Sequence, residues 1–236
     1  MHFQYACVWD KGDFYAINQD SFSLQILYTG SGPYAMAVIC DGVGGLYRGE
    51  FAGGYATQKM TEWFYEMALP ILCEGQSFLV LRRSCIRELK EIHEHLYIEG
   101  HKKQEPMATT FTMLILTSKQ YYVFHIGDCH CYKIGGKPKS LMPIQTNRKG
   151  ELTGALGVGV FPKPEFRKGR YSMKNRFLLC SDGYAGCLTT RGIQSLGDRR
   201  LISGNEEMER LMKEILKRGR KKGEKDNCTG IVIGRI

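Results

Sequence analysis

The chain has 236 residues, a formal net charge of +9 at pH 7 and nine cysteines. Its hydrophobic and charged fractions, 43% and 24%, are ordinary for a soluble globular protein. No apolar run approaches the roughly 18 residues that a membrane-spanning helix needs, so no membrane span is expected. No Pro- or Ser-rich linker divides the chain, which predicts a single domain over residues 1–236.

The charge and the cysteines narrow the class of protein further. The cysteines are scattered and include no Cys-x-x-Cys pair, which favours reduced thiols in a cytoplasm over a disulfide framework or a zinc site. A basic chain attracts acidic partners such as phosphoproteins, nucleic acid or anionic membranes. Specific nucleic-acid binding is not expected, because no aromatic RNA platform or zinc finger is present. The densest basic run, Lys217–Lys222, is interpreted as the solvated end of a helix.

Hydrophobic periodicity predicts strands, then two consecutive helices, then more strands. The helices are expected near Phe51–Phe64 and Ser77–Glu99, with a third over Asn205–Lys222. Lys137–Gly154 is polar and turn-rich, which predicts a mobile loop or flap. This order argues against a regular parallel βαβ sheet. Strands are predicted at Tyr5–Val8, Ser21–Tyr28, Ala35–Cys40, Phe111–Leu116, Tyr121–Ile126, Cys131–Ile134, Phe177–Cys180 and Gly230–Ile233.

Aspartates flank several of these strands. The apolar run Ala35–Cys40 leads into Asp41 and a glycine-rich turn at Gly42, Gly44 and Gly45. A carboxylate at the end of a buried strand needs a partner, and hard divalent cations prefer carboxylate and carbonyl oxygens. An Asp-Gly pair is also a common hairpin turn, so one copy of the pattern would be weak evidence. Similar settings surround Asp20, Asp182 and Asp226.

The ordered set of motifs resembles the metal-dependent (type 2C) protein serine/threonine phosphatases in their short bacterial form. The resemblance extends from about Cys7 to Ile233 and implies an α+β fold. In that fold, a four-layer α-β-β-α sandwich, helices flank two antiparallel sheets. The motifs are Asn18-Gln19-Asp20, Ile39–Gly45, Ala108-Thr109-Thr110, Ile126-Gly127-Asp128, Ser181-Asp182-Gly183 and Asp226-Asn227.

The resemblance also implies an activity, which is the hydrolysis of phosphoserine and phosphothreonine in proteins by water activated between two Mn²⁺ or Mg²⁺ ions. Asp41 would bridge both ions, and the carbonyl of Gly42 would bind the second. Asp182 and Asp226 would complete the protein ligands of the first ion. The expected partners are phosphorylated proteins, including a serine/threonine kinase or its substrates, and the expected form is a cytoplasmic monomer.

Further residues match family positions that support the metal ligands. Asp20 corresponds to the acidic residue that holds water beside the metal ions. Asp128 matches a ligand of a weaker third ion, although a plain turn aspartate is the competing interpretation. Thr109 and Thr110 are expected to support the metal ligands through their hydroxyls. For His125 a structural role is favoured over acid–base chemistry.

The chain departs from the family pattern at several places. Tyr15 stands where an arginine usually grips the substrate phosphate, and a phenol carries no positive charge at neutral pH. Val43 stands where animal relatives have a histidine that serves as a general acid, and Cys129-His130 replaces Ser-Arg. Gly186 provides no carboxylate where some relatives have another ligand for the third metal.

These departures leave a second hypothesis open. A phosphatase-like module that has lost turnover could bind phosphoproteins in a regulatory role. Lys11, Arg48, Arg148 and Lys149 are the candidates to replace the missing arginine, and the sequence does not choose among them.

Overall fold

A computed structural model describes residues 2–43 and 48–236, in which ten strands form two antiparallel sheets of five. The first sheet has the order β1-β10-β9-β6-β7 and the second the order β2-β3-β4-β5-β8. The strands are β1 (Phe3–Asp10), β2 (Ser21–Thr29), β3 (Gly32–Cys40), β4 (Phe111–Leu116), β5 (Gln120–Ile126), β6 (His130–Ile134), β7 (Lys139–Ser140), β8 (Glu165–Arg170), β9 (Arg176–Cys180) and β10 (Cys228–Arg235).

Helices cover the outer face of each sheet. A π-helical segment, Phe64–Ala68, joins α1 to α2, where Pro70 lacks the N–H that would continue the α-helical bonds. The α-helices are α1 (Gly49–Trp63), α2 (Leu69–Cys73), α3 (Phe78–Lys103), α4 (Asp182–Cys187), α5 (Thr190–Gly197) and α6 (Asn205–Lys221). Three apolar clusters separate the four layers, so the predicted α-β-β-α sandwich is confirmed.

Alternation along the central strands explains this layering. In β3, Ala37 and Ile39 face the first sheet, whereas Met36 and Val38 pack under α1 and α3. Both faces of such a strand are apolar because both are buried, and this is why the sequence shows a continuous apolar run rather than an alternating pattern. The apolar core between the two sheets, here called the middle layer, therefore forms from the inward-facing side chains of both sheets.

The sequence missed elements whose apolar pattern is weak. β8 is an edge strand that pairs only with β5, and its residues EFRKGR are mostly exposed or half-buried. An edge strand of charged residues gives no hydrophobic signal, although charge on an edge is a common protection against aggregation. The short helices α4 and α5 were missed as well, because neither has enough turns to establish a helical period.

The segment Lys137–Gly154 is not entirely a loop, contrary to the prediction. Its first part pairs with β6 as β7, and Leu141 and Met142 are buried between the sheets. Further along, Thr146 forms a bridge with Leu152. The polar composition concealed two core side chains, because the prediction averaged over the whole segment.

The described residues contain no helix that is long and apolar enough to cross a membrane. All nine cysteines are free thiols, and Cys129 and Cys131 share the apolar layer between the sheets.

We expect Phe177→Ala to lower the free energy of unfolding by about 3–5 kcal/mol, since it leaves a cavity in the middle layer. Phe177 is fully buried and its ring lies 5.2 Å from that of Tyr121 and 5.4 Å from that of Tyr171. Urea unfolding would measure the change. Phe14→Ala is the control, because Phe14 is 66% exposed. Equal losses in the two variants would contradict this account of the core.

Candidate active site

Strand register brings the predicted aspartates to one end of the sandwich. In the second sheet, Ser21 pairs with Cys40 and Phe111 with Ile126. Asp20, Asp41 and Asp128 belong to the connections just outside these pairs, so they lie at the same sheet end. Pairing in the first sheet does the same for Asp182 and Asp226, through Cys180 opposite Gly230 and Cys228 opposite Asp10. Aspartates distant in sequence thus become neighbours.

A small cavity of about 90 Å³ occurs at this end. Five of the six predicted site residues line it, namely Asp41, Gly42, Asp128, Asp182 and Asp226. The other lining residues are Tyr15, Gln19, Val43, Thr110, Leu152 and Asn227. The sixth, Asp20, is 2% exposed and lies outside the cavity wall, although its charge still acts on Asp41.

Two threonines fix the backbone of Asp41. The N–H of Asp41 donates to Thr110 Oγ1 at 3.0 Å, and Thr109 Oγ1 donates to the carbonyl of Asp41 at 2.9 Å. The N–H of Thr110 donates to the same carbonyl at 2.8 Å. These bonds involve both the N–H and the carbonyl of Asp41. They fix the main chain from which its carboxylate extends. The expected supporting role of the threonine pair follows from these contacts.

Glycine at position 42 is required by close packing. A Cβ there would lie 2.6 Å from the carbonyl carbon of Gly49, where α1 begins. The N–H of Gly42 also donates to the carbonyl of Gln19 at 3.2 Å, which joins the turn after β3 to the segment before β2. Gly44 and Gly45 lie outside the described residues.

Asn227 and Arg220 hold the Asp226 segment, and the sequence analysis assigned neither this task. Asn227 Oδ1 accepts from the N–H of Gln19 at 2.9 Å, and its Nδ2 donates to the carbonyl of Lys11 at 2.8 Å. These bonds attach the β1–β2 connection, which includes Tyr15, to the start of β10. The sequence signal was present as the Asp226-Asn227 pair, but the pair does not reveal the partners of the amide.

The basic run Lys217–Lys222 is not only a solvated helix end, because Arg220 within it binds other parts of the chain. Its Nη1 donates to the carbonyl of Asp226 at 2.6 Å, and its Nη2 donates to Asp10 Oδ1 at 2.6 Å. One guanidinium therefore connects α6, the end of β1 and the segment that presents Asp226. Its neighbours in the run conform to the original interpretation, because Lys217, Arg218 and Lys221 are exposed.

The carboxylates of the site repel one another. Burial, followed by the charges of Asp20, Asp182, Asp128 and Asp226, raises the pKa of Asp41 well above its usual range. Burial and neighbouring aspartates also raise the pKa of Asp128 to about 6 and shift the pKa of Asp226 upward. Such shifts mean that negative charge is concentrated here without enough compensation.

Asp20 is a further buried carboxylate with a raised pKa. Burial raises its pKa to about 6, and the nearby hydroxyls of Thr229 and Ser181 only partly oppose the increase. Neither carboxylate oxygen of Asp20 has a hydrogen-bond partner of normal geometry. A buried carboxylate left in this condition is costly, so the position calls for water or a cation nearby.

The donor set fits hard divalent cations. It consists of carboxylates and a backbone carbonyl, with no thiol among the cavity residues. In the part of the chain described, no three acidic, histidine or cysteine side chains already form a metal cluster. Two carboxylates instead face their own backbone: Gly183 N–H donates to Asp182 Oδ1 at 2.6 Å, and Asn227 N–H to Asp226 Oδ1 at 2.7 Å. Cation binding would add to or replace these local bonds.

Two of the departures from the family pattern, Tyr15 and Val43, line the cavity. Among the described lining residues there is no lysine or arginine, and Tyr15 occupies the wall with its phenol close to the acids. The charges of Asp226, then burial, Asp182 and Asp41, raise the pKa of Tyr15. Among the candidate cations, Lys11 contacts Tyr15, but its Nζ donates to the carbonyl of Tyr15 at 2.8 Å, and Lys11 does not line the cavity.

Glu224 is an acidic residue that the sequence analysis did not select. A side chain built on Gly186 would collide with Glu224 Oε2, so this carboxylate takes the space beside α4 that Gly186 leaves. Its other oxygen, Oε1, accepts from the N–H of Asp226 at 3.0 Å. The Glu-x-Asp spacing was visible in the sequence, but the proximity to Gly186 was not.

His125 has the structural surroundings that the sequence favoured. Its ring is fully buried and its Nδ1 shares a hydrogen bond of 2.8 Å with Thr112 Oγ1. Burial lowers its pKa to about 4, so the ring is neutral at physiological pH.

Comparisons with solved structures define the class of fold. Serine/threonine phosphatase Stp1 from Staphylococcus aureus superposes with a TM-score of 0.81 at 20% identity, covering 100% of this chain and 96% of that chain. The Mycobacterium tuberculosis serine/threonine phosphatase PstP/Ppp gives 0.75 at 21% identity, with 99% and 98% covered. PppA of Pseudomonas aeruginosa gives 0.79 at 18% identity, with 100% and 99% covered.

The family follows from the sequence itself. The protein phosphatase 2C family model matches residues 15–228, so the chain belongs to the protein phosphatase 2C family. Comparison with curated protein sequences found no significant match. The resemblance inferred from the ordered motifs is therefore confirmed at the level of fold and family.

We expect Asp128→Asn to stabilise the metal-free protein at neutral pH. The pKa of Asp128 rises from 3.8 to about 6 on folding, so the folded chain binds this proton more tightly than the unfolded chain. The contribution of Asp128 to the free energy of unfolding therefore falls as the pH rises from about 4 to about 6. Melting temperatures in EDTA should show a gain for the variant at pH 7 that disappears near pH 4.

Asp13→Asn is the matched control for this experiment, because it makes the same charge change at an exposed position. A gain of equal size and pH dependence in both variants would show that net charge, not repulsion within the site, is responsible.

Proposed function

We propose that this chain hydrolyses phosphoserine and phosphothreonine in proteins and that it uses two Mn²⁺ or Mg²⁺ ions, with a weaker third. One observation carries the proposal: Asp41, Asp128, Asp182 and Asp226 reach one cavity from separate strand ends. Membership of the protein phosphatase 2C family supports the reaction class. The raised pKa values of three of these carboxylates support cation binding, because a cation would relieve their repulsion.

The proposed ligands are Asp41, Asp182 and Asp226, together with the carbonyl of Gly42, and Asp128 is assigned to the third ion. Two divalent cations held in this way would lower the pKa of water between them and neutralise charge on the phosphoryl group. The chain supplies positioning, because hydrogen bonds hold the main chain at Asp41 and Asp226. Asp20 would accept hydrogen bonds from water at the inner edge of the site.

Tyr15 is assigned to the substrate phosphate. The carboxylates around it raise its pKa, so the phenol keeps its proton at neutral pH and can donate one hydrogen bond. A neutral donor does not repel the metal ions, but it binds a dianionic phosphate more weakly than a guanidinium does. Val43 cannot give a proton to the departing serine or threonine oxygen, so we assign that proton to water.

The proposed substrates are phosphorylated proteins, including those of a serine/threonine kinase or the kinase itself. Reduced thiols support a cytoplasmic location, since the described cysteines are all free. We propose a monomer as the active form, because one chain contributes every proposed ligand.

A phosphatase-like binding module without turnover is the second candidate. The absence of a guanidinium among the described cavity residues favours it. The four carboxylates weigh against it, because a module that only binds phosphate gains nothing from concentrated negative charge. Hydrolysis of a phosphothreonine peptide in the presence of Mn²⁺ separates the two candidates.

We expect Asp41→Asn to reduce hydrolysis of a phosphothreonine peptide with Mn²⁺ by about 100-fold or more, since it removes the proposed bridging ligand. Phosphate release would be measured, and calorimetric titration with Mn²⁺ would report metal binding independently of turnover. Asp13→Asn, with the same change of charge at an exposed position, should retain activity. Equal phosphate release from the wild type and Asp41→Asn would refute the proposal, and Mn²⁺ binding without turnover in the wild type would favour the binding module.

We expect Tyr15→Arg to lower KM several-fold with little change in kcat, because a guanidinium strengthens binding of substrate and transition state alike. Tyr15→Phe should raise KM, since it removes the hydrogen-bond donor and preserves the ring. Steady-state kinetics with the same peptide would measure both. If Tyr15→Phe lowered kcat and kcat/KM equally with KM unchanged, the phenol would act in the transition state instead.

A further inference from the structure

The sheet ends opposite the carboxylates carry an excess of positive charge. β6 leaves the candidate active site at His130, and about 13 Å of strand separates that end from Ile134. Ile134 pairs with Arg176, the first residue of β9, at this distant end. The cations in this region include Lys133, Lys137, Lys139, Lys174, Arg176, Arg199 and Arg200. The charge is thus segregated, with acids at one end of the strands and bases at the other.

A cavity of about 580 Å³ opens within this basic end. Its volume falls in the range of pockets that bind small molecules, about 300–1,000 Å³. Glycines at 135, 136 and 197 form part of its wall, and the close approach of Gly197 to Gly135 leaves no room for a side chain between them. The remaining lining residues are Lys137, Lys174, Gln194, Asp198, Arg199 and Arg200.

Most of the positive charge in this cavity is not neutralised. Asp198 is the one acidic residue among the described lining residues, and it is already paired with Arg200 at 2.8 Å. Lys137, Lys174 and Arg199 therefore remain as net charge around the opening. The Lys137 and Lys174 side chains are exposed, so a ligand could reach them.

Arg176 adds a buried charge behind the cavity wall. It is 1% exposed, and its guanidinium donates to three neutral oxygens: Leu196 O at 3.0 Å, Gln4 Oε1 at 2.6 Å and Ile202 O at 3.0 Å. Its Nε has no hydrogen-bond partner. Burial, and then the charge of Arg199, lowers the pKa of Arg176 to about 10. A buried guanidinium without a carboxylate partner is unfavourable, and an anion nearby would relieve that cost.

We propose that this cavity binds a small ligand with adjacent phosphate groups, of the pyrophosphate type. Three unneutralised cations around a concave opening match the two or more negative charges of such a group. The concavity favours a compact ligand over an extended polyanion, which would use a flat basic surface. The site is separate from the candidate active site, because the two lie at opposite ends of β6 and β9.

Calorimetric titration of the full-length protein with pyrophosphate in EDTA tests the proposal. EDTA removes divalent cations, so the acidic cavity then repels phosphate and any saturable binding must occur elsewhere. We expect one pyrophosphate per chain. ATP in a parallel titration distinguishes the source of the phosphates: affinity equal to that of pyrophosphate assigns it to the phosphates alone, and tighter binding indicates a nucleotide ligand.

The variant Lys137→Ala/Lys174→Ala removes two exposed cations of the cavity and should weaken binding about tenfold or more. Lys217→Ala/Lys221→Ala is the matched control, since it makes the same charge change on α6 and should bind within about twofold of the wild type. The melting temperature without ligand would verify that both variants fold.

Three outcomes would overturn the proposal. These are no saturable pyrophosphate binding, equal loss of affinity in both double variants, and binding that requires an anionic vesicle or an oligonucleotide rather than pyrophosphate. Because the titration is performed without metal and without substrate, its result does not depend on the proposed hydrolysis.

Discussion

Repulsion among carboxylates is the constraint on which the candidate active site depends. The fold brings Asp41, Asp128, Asp182 and Asp226 to one small cavity, where burial and the neighbouring carboxylates raise the pKa values of Asp41, Asp128 and Asp226. Folding alone does not reward this arrangement, because every added carboxylate makes the others harder to ionise. A divalent cation reverses the sign of the interaction. The arrangement therefore lowers the stability of the chain without a cation, which accords with the proposed cation site.

Neutral and cationic groups around the site hold the acids in position despite this repulsion. Thr109 and Thr110 bind the main chain at Asp41, and Asn227 joins the start of β10 to the β1–β2 connection. Arg220 performs the corresponding task from α6. These contacts act on the backbone at Asp41 and Asp226 and do not occupy the carboxylate oxygens of these two residues. The main chain at Asp41 and at Asp226 is held by these contacts, so the site can keep its geometry despite the repulsion between carboxylates.

The positive charge of the chain is concentrated away from the carboxylates. Lysines and arginines collect at the sheet ends far from the carboxylates, where Arg176 is buried without an acidic partner. Segregation of this kind keeps the two sets of charges from neutralising each other across the sandwich, since their separation exceeds the distance over which exposed charges interact at physiological salt, about 8 Å. We therefore propose a different class of ligand for each end: cations at one, phosphate groups at the other.

The sequence by itself determined most of the strands, because apolar runs such as Ala35–Cys40 are a local property of the chain. The order of the elements left the four layers open, and the family resemblance supplied them. The ordered aspartate motifs likewise sufficed for the family. Tertiary structure alone decided that Arg220 holds the Asp226 segment, that Glu224 takes the space beside Gly186, and that β8 is a polar edge strand. The physical reason is that these depend on strand register and helix packing, which join residues far apart in the chain and leave no local pattern.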